Sequence, residues 1–250
     1  MSRRDDLDEV GAGPLSRGAA VVMWVLVISA LTVVTGGVPL VLVPFLTGDA
    51  SNVWVVALLL VPMGPALAAA MFAWRRFIEE RDLVPARHFW RGYRLNALDV
   101  LRWWVPVLAA LAVIAFSLAH LDTAGVPTGY GIVLVVVSVA LLMWSVLALA
   151  LSSHLSLRTR DVARLSTYYL AAKPLVTLGV LSLVVLAVGI VLFTSDWVLV
   201  MLAGPLAFAV VTTTEPVVRD AVARFTGDPS AEPEPEPSAA APSAEPDPSP

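Results

Sequence analysis

A chain of 250 residues that is 58% hydrophobic and 14% charged, with mean hydropathy +0.82, is too apolar for a soluble domain, which carries about 25% charged residues. Its formal charge of -4 is set by one end: residues 227–250 hold six acids and no base, and without them the chain is +2. That excludes the basic surplus of a nucleic-acid binder, and zero cysteines exclude disulfides and thiolate metal sites.

Residues 1–17 form a polar tail that mixes Arg3, Arg4 and Arg17 with Asp5, Asp6, Asp8 and Glu9. Uncharged apolar runs follow at about 18–43, 53–74, 103–120, 131–151, 175–193 and 197–214. Each reaches, or nearly reaches, the ~20 helical residues that cross a hydrocarbon core of about 30 Å. The reading is an all-α integral membrane protein with a six-helix transmembrane domain over 18–226. The first run follows an acid-rich start and ends without a small-residue cleavage site, so it is expected to stay as a helix.

Basic residues set the orientation. The connectors after the first, third and fifth runs hold no Lys or Arg and one acid each: Asp49, Asp122 and Asp196. The alternate segments hold every base, from Arg75 to Arg102, from Arg158 to Lys173, and Arg219 with Arg224 after the last run. Basic residues are retained on the cytoplasmic face, so the protein is expected to be a multi-pass protein of the cell membrane with both termini cytoplasmic. Fifteen Arg against one Lys, with abundant Ala, Val and Pro, fits a GC-rich bacterial genome.

The spans carry no Asp, Glu, Lys or Arg in their interiors, which weighs against a proton- or ion-coupled carrier. Pro62 and Pro65 remove backbone donors around Gly64 and predict a second helix kinked or opened near its middle. Pro205, after Gly204, predicts the same in the sixth. Broken helices free carbonyl groups and helix ends that coordinate ligands in transporters, which makes Gly64, Pro65, Gly204 and Pro205 candidate ligand-binding positions. Trp54, Trp74, Trp103, Trp104 and Trp197 lie near span ends, as an interfacial aromatic belt would.

The connector before the third run has a helical pattern of its own. At 100° per residue Arg87, Arg91, Arg94 and Arg102 share one stripe, and Phe89, Tyr93, Trp103 and Trp104 lie opposite. Pro85 suits its first turn. The expectation is an amphipathic interfacial helix, aromatic side down and guanidinium groups toward lipid phosphates, that then turns into the third span. Residues 155–173 repeat the idea, with Arg160 and Arg164 at the spacing of Arg87 and Arg91. All five Arg are candidates for docking a partner or lipid.

Residues 227–250, rich in Pro, Glu, Ala and Ser, bury too little apolar surface to fold and predict a disordered cytoplasmic tail. The three His are split, with His88 and His154 inside and His120 outside, so they supply no shared metal site. Glu79, Glu80 and Asp82 sit beside Arg75, Arg76 and Arg81, where surface ion pairing accounts for them. With no nucleophile, acid/base pair or metal set in view, neither an enzyme nor a cofactor is expected.

The run Gly64-Pro65-Ala66-Leu67-Ala68-Ala69-Ala70, Arg75-Arg76, and Phe89-Trp90-Arg91-Gly92-Tyr93-Arg94-Leu95-Asn96 resembles the first half of the YesL-like bacterial membrane proteins, a domain-of-unknown-function family. Leu157, Arg160-Asp161, Arg164, Leu170-Ala171 and Pro174-Leu175 are similar to its second half. The likeness covers roughly residues 20–215 and leaves out both tails. It implies a place near carbohydrate uptake or utilisation, with an ATP-driven (ABC) sugar importer as the partner, and it carries over no catalytic residues. The expected function is an accessory factor of that kind. The alternative is a self-contained small-molecule transporter or permease subunit, although neither basic connector holds the E-A-A-x3-G coupling loop of ATP-driven permeases.

Overall fold

The computed structural model describes residues 14–46, 49–80, 84–125, 127–154, 159–193 and 196–226. Residues 1–13, the acidic tail 227–250, Arg81, Asp82 and Arg158 lie outside the described residues. Among the described residues there is no strand, and the chain is a set of packed helices.

Helix α1 (Pro14–Thr32) loosens into a π-helical turn (Val33–Gly37) and a 3-10 stretch (Val38–Phe45). The loosening falls where Gly36-Gly37 and Pro39 withdraw helix propensity and one backbone donor. Helices α2 (Val53–Leu59) and α3 (Met63–Glu80) follow, then α4 (Pro85–Ala119) and a short α5 (Leu121–Ala124). Gly125, at φ 61°, closes that turn in the left-handed region open to glycine. Helices α6 (Thr128–His154), α7 (Thr159–Ala172), α8 (Pro174–Phe193), α9 (Asp196–Met201) and α10 (Ala203–Thr226) complete the fold.

Four segments are long and apolar enough to cross a membrane: Gly18–Val43, Pro85–Ala119, Gly129–His154 and Pro174–Phe193. The pair α2–α3 makes a fifth if it counts as one span bent by 41° at residues 60–62. The bend falls at Pro62, where a broken second helix is expected. The sixth apolar run, 197–214, is divided between α9 and α10 at Leu202, and α10 continues into a charged half with Glu215, Arg219, Asp220 and Arg224. Between 67% and 83% of each of the four apolar windows remains on the surface. In water such exposure would drive aggregation, whereas a bilayer accepts it. The molecule is an all-α protein of the membrane.

Helix α3 is the hub, packed against α1, α4, α6 and α10. It takes that place because Ala66, Ala68, Ala69, Ala70 and Ala73, all fully buried, let neighbouring backbones approach closely. In lipid, where apolar burial gives little drive between helices, such small residues set the packing. Trp24, Ile28, Trp74, Phe89, Trp103 and Trp104 fill the space around them. A second cluster joins Met143, Leu147 and Leu151 of α6 to Tyr169, Val180 and Val217.

Two expectations fail here. Trp74, Trp103 and Trp104 belong to this core and not to an interfacial belt, since proximity to a span end does not say which way a side chain faces. Trp54 does remain 48% exposed. The basic segment before the third span is also not a separate interfacial helix. It is the first part of the continuous 35-residue α4, because no glycine or proline interrupts residues 93–105. Its aromatic side faces α3, with Phe89 buried and Gly92 pressed on Phe72, and not lipid.

Candidate functional site

The two Gly-Pro breaks are filled from within. Met63 and Ala203 open α3 and α10, so Pro65 and Pro205 sit in first turns, where a missing N–H costs little. Trp104 of α4 lies against Gly64, where an added Cβ would come within 2.6 Å of the indole. Its Nε1 donates to the carbonyl oxygen of Leu60 at 3.2 Å, so a carbonyl exposed at the break is satisfied by the protein itself. Gly204 is pressed on α1, where an added Cβ would lie 2.4 Å from Ser29 Oγ and 3.0 Å from the Val25 carbonyl oxygen. Gly64 and Gly204 therefore mark two different helix crossings, and the structure does not bring them to one site.

The basic stripe of α4 is open. Arg87, Arg91 and Arg94 are exposed, and among the described residues no acid pairs with them. Trp90 at 43% and Leu95 at 60% exposure flank them and line a shared shallow groove. Leu98, the apolar residue inside the stripe, is 72% exposed, and Arg102 pairs with Asp99 at 2.8 Å. On the opposite side of the helix, α3 contributes Arg75, which bonds Glu79 at 2.6 Å and meets the His154 ring at the end of α6. Arg76 also reaches Glu79, at 3.5 Å, as local ion pairing predicts. The three His make separate contacts. His88 is buried against Trp24, His154 meets Arg75, and His120 caps the far end of α4 on the Phe116 carbonyl oxygen.

Helix α7 is amphipathic, as its sequence predicts. Val162, Ser166 and Tyr169 point into the protein, while Arg160, Arg164 and Tyr168 are exposed. It ends before Pro174, and Thr177 Oγ1 caps it by donating to the Leu170 carbonyl oxygen at 2.8 Å. Trp144 of α6 donates to Thr167 Oγ1 at 3.1 Å and holds α7 along the bundle.

The C-terminal parts of α7 and α10 share a polar cluster that sequence reasoning does not find. Tyr169 donates its hydroxyl to Asp220 Oδ2 at 2.6 Å. Lys173 Nζ is 3.7 Å from Asp220 Oδ1 and donates to the Pro216 carbonyl oxygen at 2.8 Å. Arg224 Nε lies 3.1 Å from Asp220 Oδ2, and its guanidinium group stacks on the Tyr168 ring at 5.3 Å. The Tyr169 hydroxyl, with Lys173 and Arg224 behind it, holds the Asp220 carboxyl below the usual carboxylate range. Burial, with the Asp220 carboxylate as acceptor, pushes the Tyr169 phenol well above its ordinary value, so it stays protonated. The available signal was the charged half of α10 after an apolar run, but pairing across 51 residues is not readable from one chain.

No family model, curated protein or solved structure matches this chain. The resemblance to YesL-like proteins therefore rests on the short motifs alone.

Proposed function

We propose that the chain is a six-span inner-membrane protein with both termini in the cytoplasm, and that it works without catalysis as an accessory factor in carbohydrate uptake or utilisation. The carrying observation is the α4 face, where Arg87, Arg91 and Arg94 stand exposed beside Trp90 and Leu95 on a rigid helix with no internal acid committed to them. Arg and Trp dominate the energetics of protein interfaces, and a helix presents them pre-organised. The closed helix breaks favour this reading over a carrier, because Trp104 and Ser29 occupy the places where a ligand would seek freed backbone. The motif resemblance supplies the class of partner, a binding-protein-dependent sugar importer.

The test is crosslinked copurification from the native host in mild detergent, with mass spectrometry of the captured proteins. Recovery of an importer permease or its ATPase, lost when Arg87, Arg91 and Arg94 are all changed to Gln, supports the proposal. A chain that captures no partner, in a host whose sugar uptake is unchanged by its deletion, overturns it.

A second reading, a self-contained transporter, draws on three buried polar atoms without a hydrogen-bond partner among the described residues: Trp24 Nε1, Trp74 Nε1 and Ser29 Oγ. All three lie near the packing of α1 against α3 and α10. Uptake of a sugar by liposomes holding the purified chain alone would favour it.

A further inference from the structure

We propose that the cleft between α7 and α10 is a binding site for the phosphate headgroup of an anionic phospholipid. The cleft, about 220 Å³, is lined by Arg164, Leu165, Tyr168, Tyr169 and Arg224. Two guanidinium groups from different helices thus meet over one cavity. Arg164 is exposed, and no acid pairs with it among the described residues.

Arg224 is the fixed member of the pair. Asp220 takes its Nε at 3.1 Å, and the Tyr168 ring and hydroxyl hold the plane of the guanidinium group. Of its five N–H donors, Nε faces Asp220 as an ion pair and one Nη2 hydrogen reaches the Tyr168 hydroxyl at a long 3.4 Å, so the rest of the fork is available. Asp220 does not cancel the site. It also bonds the Tyr169 hydroxyl and faces Lys173, and the group of Arg164, Lys173, Arg224 and Asp220 sums to +2. A planar guanidinium held by a carboxylate and an aromatic face is well suited to bidentate phosphate recognition.

The surroundings select a lipid over a soluble phosphate. The cleft wall includes Leu165 and the ring of Tyr168, itself 50% exposed, and tyrosine favours the boundary between hydrocarbon and water. Directly after Lys173, helix α8 exposes Leu175 at 83% and Leu178 at 58%, apolar surface that only acyl chains would cover. This site uses other residues than the α4 face and does not depend on the importer reading.

The test uses the purified full chain in uncharged detergent, with thermal unfolding followed as phosphatidylglycerol, phosphatidylcholine or inorganic phosphate is added. Phosphatidylglycerol at about 100 times its Kd is expected to raise Tm by about 5–10 °C, and the other two to leave it unchanged. Arg164→Gln is expected to keep the basal Tm and lose the rise. Arg224→Gln is expected to lose the rise and lower the basal Tm, since Asp220 loses a partner. Arg91→Gln is expected to keep the rise. The proposal is overturned if the rise survives Arg164→Gln, if it is lost equally in Arg91→Gln, or if inorganic phosphate or phosphatidylcholine reproduces it.

Discussion

Tyr169 on α7 donates a hydroxyl hydrogen bond to the carboxylate of Asp220 on α10 at 2.6 Å, and so ties the last helix to the segment between the fourth and fifth apolar runs. A buried phenol hydrogen-bonded to a charged acceptor contributes more than a neutral pair. Tyr169→Phe removes that bond and leaves the ring in place. The expected loss is about 1–2 kcal/mol of stability, read as a lower Tm in detergent. An unchanged Tm would show that the contact holds nothing together.

The same pair makes a pH prediction. Asp220 titrates lower in the folded protein than in an unfolded chain, so its contribution is complete above the ordinary carboxylate range near pH 4. It is lost as pH falls through the depressed folded value. Stability of the wild type is therefore expected to drop in acid more steeply than that of Asp220→Asn, which has no proton to gain. Parallel acid profiles for the two proteins would rule out this linkage.

Close helix packing at the two Gly-Pro sites predicts intolerance of a single methyl group. Gly64→Ala drives a Cβ into the Trp104 indole, and Gly204→Ala drives one onto Ser29. Overpacking of this kind costs about 1–3 kcal/mol each. Gly189→Ala, with nothing within 4 Å of the new methyl group, is expected to be silent. Ser29→Gly should recover part of the Gly204→Ala loss but none of the Gly64→Ala loss; thermal unfolding of the single and double variants separates these outcomes.

Changing Arg87, Arg91 and Arg94 together to Gln is expected to leave stability within about 0.5 kcal/mol of wild type, as exposed positions without ion pairs do. Partner capture should nonetheless fail. A large Tm loss would mean that the three groups serve the fold and not a partner.

Reporter fusions after Asp49, Asp122 and Asp196 are expected to read outside, and fusions after Glu80, Arg160 and Arg224 inside. One reversed fusion breaks the six-span topology.

The apolar runs were legible because helix faces in contact with lipid must be apolar, and four of the six fall in segments long and apolar enough to cross a membrane, while 53–74 and 197–214 are each divided between two helices. The α4 stripe was legible from a 100° step, since Arg87, Arg91 and Arg94 do share the open face. What the step could not say is what covers the other side. Phe89 and Trp103 are buried in the protein and not in lipid, with Trp103 set edge-on to Trp144 of α6. The Gly-Pro pairs were visible as breaks, yet the residues that close them, Trp104 and Ser29, lie on other helices. The Tyr169–Asp220 cluster had no local pattern at all.

One contact has a mechanical consequence. Pro106 lacks the N–H that would bond the Arg102 carbonyl oxygen, so α4 is weakened just after its basic part. The other weak link, residues 60–62, lies at the same height, because the Trp104 indole is bonded to Leu60. The two joints are thus pinned side by side, like the paired knuckles of a door hinge. A swing of about 20° there would carry Arg87, about 28 Å away along the helix, through about 10 Å. With Gly92 pressed on Phe72 and Arg75 meeting the His154 ring, such a swing would have to carry the basic end of α3 and the end of α6 along with α4.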